Sequence, residues 1–188
     1  MKELIKHSIL SGILVGIGVV VNTMSENHYI GAMLFSLALL VIMQCGFTLY
    51  TGRIGFIKTI PLKELGIMLI CNFAGVLIPT MMVATQRDTM RETMMTVAKT
   101  KFSNDYLSLF LFACLCGVMM FIAVYCKNTL ITIFCIMVFI LSGYEHCIAD
   151  FPYLILSFSF ENLAKLVCII FGNSIGSIAI HYLAGKQK

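Results

Sequence analysis

The sequence predicts an all-α membrane protein in which six transmembrane helices form two inverted three-helix repeats, the second and fifth helices being broken. Three observations carry that expectation. Hydrophobic residues make up 60% of the 188-residue chain and charged residues 12%, with a mean hydropathy of +0.96, outside the range of a soluble domain. Apolar segments at roughly 8–24, 29–50, 64–84, 104–125, 129–148 and 162–183 each approach the ~20 residues of a helical span. Finally, each half carries a glycine ahead of hydrogen-bonding residues in its second span, and an asparagine followed three residues later by glycine in its third.

The N-terminal MKELIKHSIL is basic and apolar but lacks a small-residue cleavage site, so it reads as a short lead into the first span. That span holds Gly12, Gly16 and Gly18, small residues that let helices approach closely where packing drives association. After the turn SENHY the second span runs to Gly46 and Gly52, which bracket Phe47-Thr48-Leu49-Tyr50-Thr51. A glycine-bracketed break in apolar sequence implies an interrupted helix, tolerated at membrane depth only where it lines a cavity or is buried in protein. The third span carries Asn72 and Gly75. Gln86 to Asp105 is the long polar connection and reads as part helix. The fourth span is uncharged, and Lys127-Asn128 turns the chain into the fifth, which ends in GYEHCIAD. Phe151-Pro152 is expected to force a turn. The sixth span holds Lys165, expected to snorkel to the interface, and then Asn173 and Gly176.

Comparison of the halves sets Gly46 to Thr51 and Asn72 against Gly143 to His146 and Asn173. Three spans per half invert one repeat against the other, an architecture that builds a midplane site from two discontinuous helices. Thr51 and His146 are expected to meet at its centre. Ionisable residues at membrane depth are costly and are functional-site candidates by default, which singles out Glu145 and His146. Adjacent residues on a helix point apart, so beside His146 Glu145 reads as a structural residue tying down the broken helix through backbone donors or a basic partner. Asn72 and Asn173 read as glue for the loop backbones in support of the site.

With both termini placed inside, the inner segments hold Lys2, Lys6, Arg53, Lys58, Lys63, Lys127, Lys186 and Lys188. The outer ones hold Arg87, Arg91, Lys99, Lys101 and Lys165, interleaved with Asp88, Glu92, Asp105, Asp150 and Glu161. This bias places both termini in the cytoplasm, and the net charge of +4 then belongs to the membrane rim and implies no nucleic-acid partner. The eight cysteines lie in or beside spans with no CxxC pair, which argues against a disulfide framework and a zinc site. The thirteen methionines read as packing, and the four histidines lie on separate segments, so no metal and no cofactor is expected.

In combination and order, TLYTG at 48–52, AKTKF at 98–102, GYEHCIAD at 143–150 and GNSIG at 172–176 resemble the formate/nitrite transporter family. The resemblance runs over nearly the whole chain. It implies an aquaporin-like fold, one channel domain over 1–188 (repeats at about 7–84 and 104–183), no enzymatic activity, a homopentamer with a pore in each protomer, and a bacterial plasma-membrane location. It further implies that Thr51 is the pore threonine, His146 the central pore histidine, and Lys101 the family's lysine in a segment dipping in before the fourth span. Phe35, Leu39 and Phe139 fall at constriction positions, with Tyr50 and Met120 added to them. One departure stands out: Cys116-Gly117-Val118 occupies the place of a run in which the family carries an asparagine, so a hydrogen-bond donor near the pore is expected to be missing.

The resemblance implies a channel or transporter, in the lipid bilayer, for small monovalent anions of weak acids such as formate, nitrite or hydrosulfide. Lys101 and half-helix N-termini would attract the anion, dry slits would strip its water, and His146 with Thr51 would receive it between them. His146 would either donate a hydrogen bond while neutral or pass a proton to the substrate, and both routes make transport pH-sensitive. Proton-coupled transport of short-chain carboxylates such as acetate or lactate, and a non-transport membrane scaffold, are the alternatives.

Overall fold

The computed structural model describes residues 1–185; Lys186 and Lys188, counted above for orientation, lie outside the described residues. The described chain is helical throughout, with no strand among those residues. Its helices are α1 (Lys2–Met24), α2 (His28–Gln44), α3 (Tyr50–Arg53) running into a 3-10 turn at Ile54–Phe56, α4 (Leu62–Gln86), α5 (Asp88–Phe102), α6 (Tyr106–Tyr125), α7 (Thr129–Leu141), α8 (Cys147–Leu156) and α9 (Phe160–Ala184). Of these, α1, α4, α6 and α9 are long and apolar enough to cross a membrane; α2, α7 and α8 are shorter apolar helices.

Helices α2 and α7 stop for the same local reason. Gly46 and Gly143 adopt left-handed backbone at φ of 68° and 67°, and nothing lies within 4 Å of where a side chain would start, so glycine is needed there for its conformation and not for space. The amide of Phe47 donates to the Ile42 carbonyl and that of Tyr144 to the Phe139 carbonyl, each at 2.9 Å, the wide loop of a Schellman closure. The chain then runs extended through Leu49 and His146 before turning helical again as α3 and α8.

The long helices meet in pairs where side chains are absent. At the α1–α4 crossing a Cβ on Gly12 would collide with the Asn72 carbonyl oxygen, and one on Gly75 with the Ile9 carbonyl oxygen. At the α6–α9 crossing a Cβ on Gly117 would strike the Asn173 carbonyl oxygen, and one on Gly176 the Cys114 carbonyl oxygen. This accounts for the departure at Gly117. The position carries backbone-to-backbone packing against α9. Converting Gly117 to Asn is accordingly expected to lower stability by about 1–3 kcal/mol through overpacking, read as a drop in the thermal transition of detergent-solubilised protein.

Three sequence expectations are corrected. Pro152 does not end a helix: it lies inside α8, where seven of the ten residues are buried, and Pro79 sits inside α4 in the same way. Tertiary burial outweighs the single backbone hydrogen bond that proline forfeits. Lys165 does not snorkel. It is buried, and its ammonium donates to the Phe102 carbonyl at 2.7 Å and pairs with Glu161 at 2.7 Å. Asp150 is no loop charge; it is buried on α8.

Candidate functional site

Two buried asparagines fix the interrupted segments. Asn72 on α4 accepts from the Tyr50 amide at 2.8 Å and donates from one nitrogen to the carbonyls of Ser8 at 2.7 Å and Thr48 at 3.0 Å. Asn173 on α9 accepts from the Cys147 amide at 2.9 Å and donates to the carbonyls of Ala113 at 2.9 Å and Glu145 at 2.7 Å. Each thus satisfies the first helical amide of α3 or α8, the carbonyl two residues before it, and a carbonyl of a long helix. These are groups that otherwise stand orphaned and costly away from water. The matching bonds put Leu49 in register with His146, and Thr48 with Glu145. Thr51 therefore meets His146 without being its positional counterpart, contrary to the pairing read from the motifs.

That meeting is a hydrogen bond of 2.9 Å between Thr51 Oγ1 and His146 Nε2, with both residues buried. The other ring nitrogen fixes its sense. His146 is the N-cap of α8, and its Nδ1 accepts from the Ala149 amide at 3.2 Å. A backbone N–H can only donate, so the neutral ring carries its proton on Nε2 and donates to the threonine oxygen. One imidazole therefore performs two tasks, capping a helix with one edge and presenting a donor with the other. The cap was not legible in the sequence, because histidine is not among the preferred capping residues.

An aromatic stack leads away from the donor. The His146 ring lies on Phe139 with centroids 5.6 Å apart at 18°, and Phe139 meets Phe35 edge to face at 6.0 Å and 90°. Phe35 packs in turn where Gly18 leaves room on α1. Leu39 is buried one turn further along α2. Tyr50 is buried and its hydroxyl reaches Ser174 Oγ on α9 at 2.8 Å, while Met120 is buried on α6. A cavity of about 410 Å³ is lined by Leu39, Leu49, Arg53, Lys127 and Thr132, bringing two basic residues to the end of α2 and the start of α7.

Behind His146 lies a charged cluster. Lys101, at the end of α5, donates to Glu145 Oε2 and sits 3.1 Å from Asp150 Oδ1. Glu145 thus has a basic partner in Lys101, whose ammonium is shared between two carboxylates. Asp150 is the site residue that sequence reasoning missed. Sitting just before Phe151-Pro152 it reads as a loop charge, and only the fold brings it to Lys101. No grouping of histidine, cysteine and acidic residues suited to a metal occurs among the described residues.

Long apolar helices crossing at glycines, with two helix breaks held by asparagines around a buried donor, describe a membrane protein of interrupted helices. The family model described as "Formate/nitrite transporter" matches residues 1–185, and the chain belongs to that family. Among solved structures, "Pentameric formate channel with formate bound" superposes with a TM-score of 0.81 at 18% identity, covering 97% of this chain and 95% of the other. "FNT family ion channel" superposes with a TM-score of 0.81 at 19% identity, covering 96% and 88%. Both share the fold. A comparison with curated proteins gave no match.

Proposed function

We propose that this protein conducts small monovalent anions of weak acids, of the formate, nitrite or hydrosulfide type, through a pore within each protomer. The observation that carries the reading is the buried Nε2–H of His146 directed at Thr51 Oγ1, beside the Phe35–Phe139 pair. An anion crossing an apolar constriction loses its hydration, and a bare charge there is prohibitively costly unless a donor waits beyond. The Nε2–H and the Thr51 hydroxyl supply two donors once the anion inserts between them. Phe35, Leu39 and Phe139 form the dry slit on one side; Leu49 and Tyr50 border the other.

Of the two roles open to His146, donation while neutral is favoured by the cap. Taking a second proton would occupy Nδ1, release the Ala149 amide and place a cation at the positive end of α8. The ring then compensates charge by hydrogen bonding without handing over its proton.

Two inverted halves, each of three spans, are the architecture that best accommodates these features in the single domain of 1–188. The paired Schellman closures and the two asparagines with identical tasks support it. A pentamer is favoured because the superposed formate channel is one. The lysine and arginine bias favours both termini in the cytoplasm of a bacterial plasma membrane. Purified protein in liposomes is expected to pass at least one of formate, nitrite, hydrosulfide, acetate, lactate and chloride well above empty liposomes. No flux of any of them would refute the reading.

A further inference from the structure

The charges behind His146 do not balance. Lys101 contributes +1, Glu145 and Asp150 each contribute −1, and the two acidic side chains are 2% and 3% exposed. Asp150 Oδ2 is buried without a hydrogen-bond partner, and the Glu145 and Asp150 carboxyl groups are brought together on the single Lys101 ammonium. Two carboxylates have only acceptors to offer one another, and like charges so close and so buried repel strongly. A proton between them resolves both difficulties: it gives Oδ2 a donor to share and brings the cluster to neutrality.

Among the described residues, the other groups around Asp150 supply no second cation. Tyr153 commits its hydroxyl to Thr23 of α1 at 3.2 Å, and α6 and α8 bring the Cys116 and Cys147 thiols. The His146 carbonyl takes the Asp150 amide at 2.9 Å, α4 packs Phe73 on Phe151, and Lys165 of α9 is held by Phe102 and Glu161.

We propose that Lys101, Glu145 and Asp150 form a proton-binding site in which one proton, carried on Asp150 Oδ2, is shared with the Glu145 carboxylate. The proton comes from water or from a weak acid HA, whose H–A bond breaks as the O–H bond to Oδ2 forms; A⁻ leaves with the electron pair, and nothing is oxidised or reduced. Resting on the anion-transport reading, the loaded site has a physical consequence. Neutral, it adds no repulsion to an anion beside His146; empty, it places one uncompensated negative charge behind the pore. The nearest precedent in physical chemistry is a pair of carboxyl groups that share a site and cannot both ionise.

Infrared spectroscopy of the purified full-length protein at neutral pH tests this independently of transport. A protonated buried carboxyl gives a carbonyl-stretch band absent from carboxylates. The chain has three aspartates, and Asp88 and Asp105 are exposed. The band is therefore expected to move when all aspartates carry ¹³C in the carboxyl group, and to be lost in Asp150→Asn. The labelled wild type keeps the test decisive if that variant does not fold. A band that moves on labelling supports the site even in a preparation that conducts no anion, so the two readings fail separately. No carboxylic band, as an ionised pair balanced by a bound monovalent cation would give, or a band indifferent to the aspartate label, overturns it.

Discussion

Lys101→Met is expected to destabilise the folded protein by about 3–5 kcal/mol, the cost of stripping a buried ion pair of one partner. Lys101 is the ammonium shared by Glu145 and Asp150, and neither carboxylate has another cation within bonding distance among the described residues. Methionine keeps the length and the packing of the stem but leaves the acidic side uncompensated. A thermal scan in detergent should show a large drop in the transition, and adding Glu145→Gln with Asp150→Asn should recover most of it, since two neutral amides no longer require a cation. A Lys101→Met protein as stable as wild type would mean that the cluster is solvated and carries no structural charge.

Asn173→Ala ranks beside it, with an expected loss of about 3–5 kcal/mol. Three buried groups lose their partner at once: the Cys147 amide and the carbonyls of Glu145 and Ala113, each costing about 1–3 kcal/mol when stranded, with partial relaxation reducing the sum. The break between α7 and α8 is held at Glu145 and Cys147, on either side of His146, so the His146 ring should lose its position together with the fold. Asn173→Asp retains the acceptor but turns a second oxygen on the two carbonyls, and should be no more stable than Ala. Equal thermal transitions for Ala and wild type would show that the loop is held by other contacts.

Much of this arrangement is legible in the sequence because membrane depth makes polar residues conspicuous. Asn72 and Asn173 stand alone in apolar helices, and Gly46 and Gly143 precede segments that cannot continue a helix, so supports and breaks can be marked in advance. What is hidden depends on partners far along the chain. Asp150 and Glu145 look like a loop charge and a scaffold carboxylate until Lys101, 44 residues before Glu145, arrives between them. Phe35 and Phe139 cannot be told from other core-facing aromatics by periodicity; only their edge-to-face contact beside His146 distinguishes them. Pro152 misleads because a local rule meets a helix held by burial, and at Gly117 the motif comparison does not show the room that the glycine leaves for a neighbouring backbone.

If the His146 Nε2–H compensates the charge of a dehydrated anion, His146→Asn should remove that compensation and leave the fold in place. Asparagine is among the best capping residues, so α8 keeps its N-cap, but its shorter side chain gives up the donor at Thr51. Flux of the conducted anion into liposomes, at matched protein density and with the thermal transition measured in parallel, is expected to fall roughly 10- to 100-fold, the rate equivalent of one hydrogen bond to a charged group. Undiminished anion flux in a stably folded His146→Asn protein would contradict the assignment of His146 as the group that receives the anion.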